Sequence, residues 1–259
     1  MQYRFAEAPK DYSDYSSGRV FYGLPGHPAF PVRLASEIFQ RCLAIRSTFG
    51  VSNPCCLYDP CCGGAYHLSV LGYLHWNDVD EIIASDVDEK AVSLAQSNLA
   101  LLTVEGIDRR IAEISQMFSL YGKSSHAAAL ESAEMLRDQL LRQIGTHTIK
   151  TDFFRADATN NRTFIERFHS RKADIVFTDI PYGQRSQWQV TNAIDQESLG
   201  PVWQMLEAVR PILSSNAVAA IVAPKRQKIF HERYQRIERF QVGKRQIVLL
   251  QQIYDVKRT

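Results

Sequence analysis

After Gly50 the chain settles into an alternation of short apolar runs and longer amphipathic segments, and that alternation limits what it can fold into. Cys55 to Tyr58, Glu81 to Ser85, Thr148 to Arg155, Ala173 to Thr178 and the wholly apolar Ala217 to Ala223 read as strands. Tyr66 to Trp76, Glu89 to Leu102, Asn161 to His169 and Gln196 to Leu213 read as helices, with Asp88 placed to cap the second. Strands that alternate with helices build a parallel sheet covered on both faces. Arg233 to Phe240 and Gln246 to Tyr254 follow with no helix between them, joined around Gly243, and predict an antiparallel edge.

The expected fold is therefore α/β and Rossmann-like, a mostly parallel seven-stranded sheet with an antiparallel edge. Residues 1–50 read as an N-terminal extension: a stretch rich in Tyr, Ser, Gly and Pro, then a helix from Phe30 to Phe49. Residues 51–259 form the main domain. Residues 103–147 interrupt its rhythm, where ordinary connections take about 2–6 residues. Leu136, Leu140, Leu141 and Ile144 share a helical face there, so an inserted helical pair is expected, serving as a docking element, a lid, a dimer contact or a packing adornment.

No apolar run approaches the ~18 residues of a membrane span, and Met1 to Glu7 lacks a signal-peptide core, so a cytoplasmic protein with reduced thiols and no membrane partner is expected. Cys55, Cys56, Cys61 and Cys62 lie as two adjacent pairs with no second Cys/His cluster at a matching spacing. That is a poor tetrahedral ligand set, and no metal is expected. Charge is uneven: residues 201–259 hold 11 Lys+Arg against 4 Asp+Glu, while residues 1–200 hold 19 against 24. A basic final stretch suits either a polyanion or a solvated sheet edge.

The strand ends carry the chemistry. Asp59 ends the first strand and leads through Cys61, Gly63 and Gly64 into a helix, where close backbone N–H groups favour a ligand with negative charge. Asp86 ends the second strand 27 residues later, placed to accept both hydroxyls of a ribose, with Val87 beside it to face an adenine. Asp157 follows the third strand and is a candidate acceptor for an adenine amino group, or else a cap for the next helix. The fourth strand ends Asp179-Ile180-Pro181-Tyr182. A base amine is a poor nucleophile because its lone pair is spread into the ring. A carboxylate and a carbonyl fixed by proline can pull on its hydrogens while the tyrosine stacks on the flipped base. The fourth-strand motif holds no cysteine, which argues against a covalent carbon-5 mechanism. Together these strings point to methyl transfer from S-adenosylmethionine to an exocyclic or amide nitrogen, on the methyltransferase variant of the Rossmann-like sheet.

Several strings go further than that fold requires. Pro28 to Ala35, Glu37 to Arg41, Asp59 to Gly63, Ile83 to Asp88, Asn98 to Leu102 and Thr178 to Gly183 resemble the avilamycin-resistance rRNA methyltransferases, the AviRa family, from about residue 28 to the C-terminus. The resemblance implies a monomeric class I enzyme that uses S-adenosylmethionine to methylate a guanine of large-subunit (23S) rRNA, expected at the exocyclic N2 amine. It also implies protection from orthosomycin antibiotics. It carries cofactor roles to Asp59, Gly63 and Asp86, and the catalytic, substrate-amine role to Asp179, Pro181 and Tyr182; Cys61, Gly64, Val87 and Asp157 complete the candidate cofactor set read from the strand ends. Arg33, Arg185, Lys225, Arg226 and Lys228 are the candidate contacts to RNA phosphates. The family turn reads Cys-Cys-Gly-Ser-Gly-Tyr; here Ala65 stands in place of its last glycine, and Ile180 in place of a leucine. The rivals are a methyltransferase acting on a glutamine side-chain amide and a non-catalytic RNA-binding module with a decayed cofactor turn.

Overall fold

A computed structural model describes residues 3–23, 29–145, 147–180 and 200–254. Its sheet has seven strands: β1 (Cys55–Asp59), β2 (Val79–Asp86), β3 (Lys150–Arg155), β4 (Ala173–Asp179), β5 (Leu213–Pro224), β6 (Tyr234–Val242) and β7 (Arg245–Gln252). Their order across the sheet is β3-β2-β1-β4-β5-β7-β6. β7 runs antiparallel to β5 and to β6, and the other pairs are parallel, as the sequence pattern predicts. The order reverses between β1 and β4, so a crevice opens outside their carboxyl ends, the place where open α/β sheets bind ligands.

Strand alternation divides the core. Leu57, Ile82, Phe177, Val222 and Ile247 face α1 (Val32–Ser47), α2 (Tyr66–Leu74) and α3 (Glu89–Ala100). Tyr58, Ile83, Val176, Ile221 and Val248 face α6 (Asn161–Phe168) and α7 (Pro201–Val209). Cys55 and Cys56 point into opposite cores for the same reason and cannot share one ion. The last α-helix ends sooner than its apolar pattern suggests. Pro211 sits just past Val209, and the chain tightens into a single 3-10 turn over Arg210–Ile212. Residues 196–199 of that expected helix lie outside the described residues.

The insertion is the expected helical pair, α4 (Val104–Tyr121) and α5 (Ser124–Gln143). Its inner face holds the N-terminal segment against the body. Arg110 Nε donates to the Val20 carbonyl at 2.8 Å, Tyr22 donates its hydroxyl to Glu113 at 2.7 Å, and Ser132 donates to Asp14 at 2.7 Å. Glu37 of α1 secures the first residues. Fully buried, it accepts the backbone N–H groups of Arg4, Phe5 and Ala6 at 2.7–2.9 Å, and Arg41 Nε at 2.7 Å. Burial alone would push its carboxyl up; these donors outweigh burial and leave it below its ordinary value. Arg41 also pairs with Glu238 of β6, which ties the first helix to the edge strand. The extension thus shares one core with the sheet: Val20, Phe21 and Phe30 pack with Leu57 and Phe177.

Candidate active site

Four carboxylates stand at or just past the ends of four neighbouring strands: Asp157 after β3, Asp86 on β2, Asp59 on β1 and Asp179 on β4. The turn after β1 is built by two of them. Asp59 Oδ1 accepts the Cys61 N–H at 2.9 Å, and Asp86 Oδ2 accepts the Gly63 N–H at 2.9 Å. Gly63 is left-handed (φ 52), with open space where a Cβ would stand. Ala65 is left-handed too (φ 51, ψ 25), so the residue that replaces the family glycine keeps the glycine conformation. Gly64 is tight for a different reason: a Cβ there would meet a Leu94 methyl of α3 at 2.5 Å, so that side chain would have to shift.

Asp59 is completely buried, with Oδ2 at 3.3 Å from His67 Nε2. Burial pushes its carboxyl up to about 8, the Thr178 hydroxyl and Cys61 N–H offset only part of that, and the charges of Asp86 and Asp179 add to it. Burial pushes His67 down to about 4. Burial thus disfavours the charged form of both members of the Asp59–His67 contact, and Asp59 shapes the turn from below. Burial also raises the Cys61 and Cys62 thiols well above their ordinary value, so neither is a thiolate nucleophile.

Asp86 Oδ1 accepts the Asp88 N–H at 3.0 Å, and burial raises its carboxyl. Each of its oxygens keeps a lone pair for a further donor. Val87 beside it is half-buried, its carbonyl held by Arg155 Nε at 2.9 Å. Asp157 Oδ1 accepts the N–H and hydroxyl of Thr159 at 2.9 and 2.7 Å. The cap of α6 is Asn160, so Asp157 shapes the loop at the strand end instead. Such a row of acceptors, with no lysine or arginine inside the turn, fits a ligand that brings hydroxyls, an amine and a positive sulfur. S-adenosylmethionine, the cofactor expected from the sequence, brings all three.

Asp179 differs from the others. It stays 22% exposed, yet its Oδ1 is buried without a hydrogen-bond partner. Burial lifts its carboxyl to about 6, with Arg245 pulling the other way. Arg245, the first residue of β7, places Nε 3.8 Å from Asp179 Oδ2, too far for a hydrogen bond, and that nitrogen also lacks a partner. Its guanidinium lies 5.5 Å from the Phe30 ring, which packs edge-on against Phe177. Sequence reading missed Arg245, Phe30 and His67 because each meets the site only through tertiary packing. Pro181, Tyr182 and Arg185 lie outside the described residues.

The basic candidates separate. Arg33 donates from Nε to the Ala6 carbonyl and from Nη2 to the Glu7 carbonyl, at 2.9 and 2.7 Å, and stacks 4.0 Å over Tyr3. The structure gives it an anchoring task in the N-terminal segment. Lys225, Arg226 and Lys228 are exposed beyond β5, and with Arg236 and Arg239 of β6 they line a cleft of about 380 Å³. None of the five is paired with a carboxylate among the described residues. Gln246 ties this loop down by donating to the Pro224 carbonyl at 2.9 Å.

Comparison with known proteins gives this geometry a family. The sequence model of rRNA methyltransferase AviRa matches residues 1–245. The 23S rRNA (guanine(2535)-N(1))-methyltransferase of Streptomyces viridochromogenes is 38% identical over 250 residues, covering 96% of this chain and 95% of that protein. Two solved structures of rRNA methyltransferase AviRa from the same organism superpose with TM-scores of 0.83 and 0.84 at 37% and 35% identity, each covering 96% of both chains. With four strand-end carboxylates, the glycine turn and the reversed strand order in place, the chain belongs to the AviRa family of rRNA methyltransferases.

Proposed function

We propose that this protein methylates N1 of a guanine in large-subunit rRNA, with Asp179 taking the N1 proton. The observation that carries this reading is the buried, unpartnered Oδ1 of Asp179 at the switch point of the sheet. The relative from Streptomyces viridochromogenes is named for guanine N1, and this replaces the N2 amine expected from sequence. The two positions need different help. An exocyclic amine needs its lone pair freed from the ring, whereas N1 carries a proton that must leave before its electron pair is available. A carboxyl raised to about 6 is a better proton acceptor than an ordinary aspartate, and it is still ionised at pH 7.

When bound, S-adenosylmethionine supplies a methyl group on a positively charged sulfur that departs as a neutral thioether. Asp86 and Asp157 are the residues to hold its ribose and adenine, with Val87 lining the base, while Asp59, Cys61, Gly63 and Gly64 shape the turn for its methionine end. Pro181 and Tyr182 are assigned to hold the base edge and to stack on the flipped ring. The basic cleft of Lys225, Arg226, Lys228, Arg236 and Arg239 is assigned to RNA phosphates, and Arg185 to those next to the target.

Primer extension on 23S rRNA from cells with and without the gene tests this reading. A methyl group on N1 blocks the pairing edge and stops reverse transcriptase at one guanine, and nucleoside mass spectrometry should identify 1-methylguanosine. Asp179→Asn should lower single-turnover methylation at least 100-fold while cofactor affinity holds. The wild-type rate should fall with decreasing pH around 6, as Asp179 becomes protonated. A methyl group on N2, ribose or ring carbon would contradict the assignment. Growth of expressing cells in an orthosomycin tests the resistance role.

A further inference from the structure

Two polar groups at the crevice face each other without saturating each other. Asp179 Oδ1 has no hydrogen-bond partner, and neither has Arg245 Nε 3.8 Å from the other Asp179 oxygen. Buried polar groups in folded proteins are normally paired, so an orphan acceptor beside an orphan donor calls for a ligand that serves both. Arg245 is 23% exposed and is backed by the Phe30 ring at 5.5 Å. The hairpin fixes its backbone: it follows the two-residue loop Gly243-Lys244, and it pairs with Val242 and Pro224. Of the other titratable groups on this side, burial drives Asp59 and His67 toward their neutral forms, and Asp86 accepts the Gly63 N–H of the turn after β1.

We propose that Arg245 is a substrate-contacting residue that donates to O6 of the target guanine while Asp179 accepts from N1. The inference rests on the N1 reading above and adds base specificity to it. The six-membered ring of guanine presents an acceptor, O6, next to a donor, N1–H, and an arginine beside a carboxylate is the complement of that order. Adenine reverses the order, with an amine donor next to an acceptor nitrogen. It would set donor against donor and acceptor against acceptor, the kind of mismatch that discriminates strongly.

The same contact assists the chemistry. As the N1–H bond breaks, the proton passes to an Asp179 oxygen and its electron pair stays on the ring, shared between N1 and O6. A guanidinium at O6 stabilises the charge that develops there, in the manner of an oxyanion site. Arg245 thereby supports proton loss at one atom while fixing its neighbour.

The test compares wild type, Arg245→Gln and Arg245→Lys on an rRNA fragment carrying guanine, inosine or adenine at the target position. Inosine keeps O6 and N1–H and lacks only the N2 amine, so it should be methylated by wild type; adenine should not. Arg245→Gln should lower kcat about 100-fold with little change in KM for RNA, and Arg245→Lys should restore part of it. In the free enzyme, ¹³C NMR of the Asp179 carboxyl should show its titration moving upward from about 6 in Arg245→Gln, a change that a loss of folding stability alone does not produce. An N1-methylated product from wild type together with undiminished kcat in Arg245→Gln overturns the inference alone. So does an unmoved Asp179 titration. A wild-type product methylated elsewhere overturns the N1 reading and this inference with it.

Discussion

Ala65 sits in the left-handed region, where an L side chain costs about 1–2 kcal/mol and a glycine costs nothing. Its methyl group is fully buried, which returns about 0.8 kcal/mol. The return offsets part of the cost, so the turn survives the loss of the family glycine at a net cost of roughly 0.2–1.2 kcal/mol. Asp59 leaves a clearer signature. Its folded carboxyl titrates near 8 and its unfolded one near 3.8, so the folded state binds the extra proton between those limits, and its contribution to stability is lost as pH rises through them. His67, lowered to about 4, acts in the opposite sense below 6.5. Asp179, half-titrated near 6, acts in the same sense as Asp59 and is largely ionised by pH 7. Between pH 7 and 8 the Asp59 effect is the largest of these. Chemical denaturation should show the unfolding free energy falling over that window, by at most about 1.4 kcal/mol per pH unit. Asp59→Asn should flatten the slope, and an unchanged slope would show that Asp59 is ionised in the fold.

Among the elements, the hairpin joining β6 to β7 does more than close the sheet. Gly243 (φ 56) occupies the first position of its two-residue loop, as a type II′ turn requires, and the turn delivers Arg245 to the end of β4. Gly243→Ala should cost about 1–2 kcal/mol in denaturation experiments. Methylation should fall as well, because Arg245 loses its place; full activity at reduced stability would separate the turn from the site. Most elements were legible in the sequence because their periods are strong: every strand and helix expected after Gly50 has its counterpart, with ends shifted by a few residues. What was not legible arises where the partner is remote. Glu37 reads as one polar residue on a helix, and nothing local reveals that it gathers three N–H groups from residues 4–6. Asn98 looks like a surface asparagine in α3, yet it is buried and donates to the carbonyls of Gly64 and Tyr22. Arg245 meets Asp179 only because β7 turns back beside β5.

At the scale of the whole molecule, charge is sorted by function. Carboxylates stand at or just past the ends of β1 to β4, where the cofactor and the base are expected, and cations with no carboxylate partner among the described residues collect along the loop after β5 and the face of β6. Replacing Lys225, Arg226, Lys228, Arg236 and Arg239 by glutamine should weaken rRNA binding. It should also flatten the dependence of log K on log salt by about 0.7–0.9 for each phosphate contact removed. Filter binding or fluorescence anisotropy across a salt series measures this, and an unaltered slope would assign the cations to solvent.

The sheet order carries one more consequence, for the chain as it is made. β7 comes last in sequence but lies inside the sheet, between β5 and β6. Synthesis proceeds from the N-terminus, so β5 leaves the ribosome well before the strand that covers its free side. Until residues 245–252 follow, the apolar stretch from Ala217 to Ala223 has an open edge, a template for pairing with another chain. A nascent chain stalled within that interval would be prone to aggregate. It would also lack Arg245, so the risk ends and the proposed base-reading pair is completed in the same closing step.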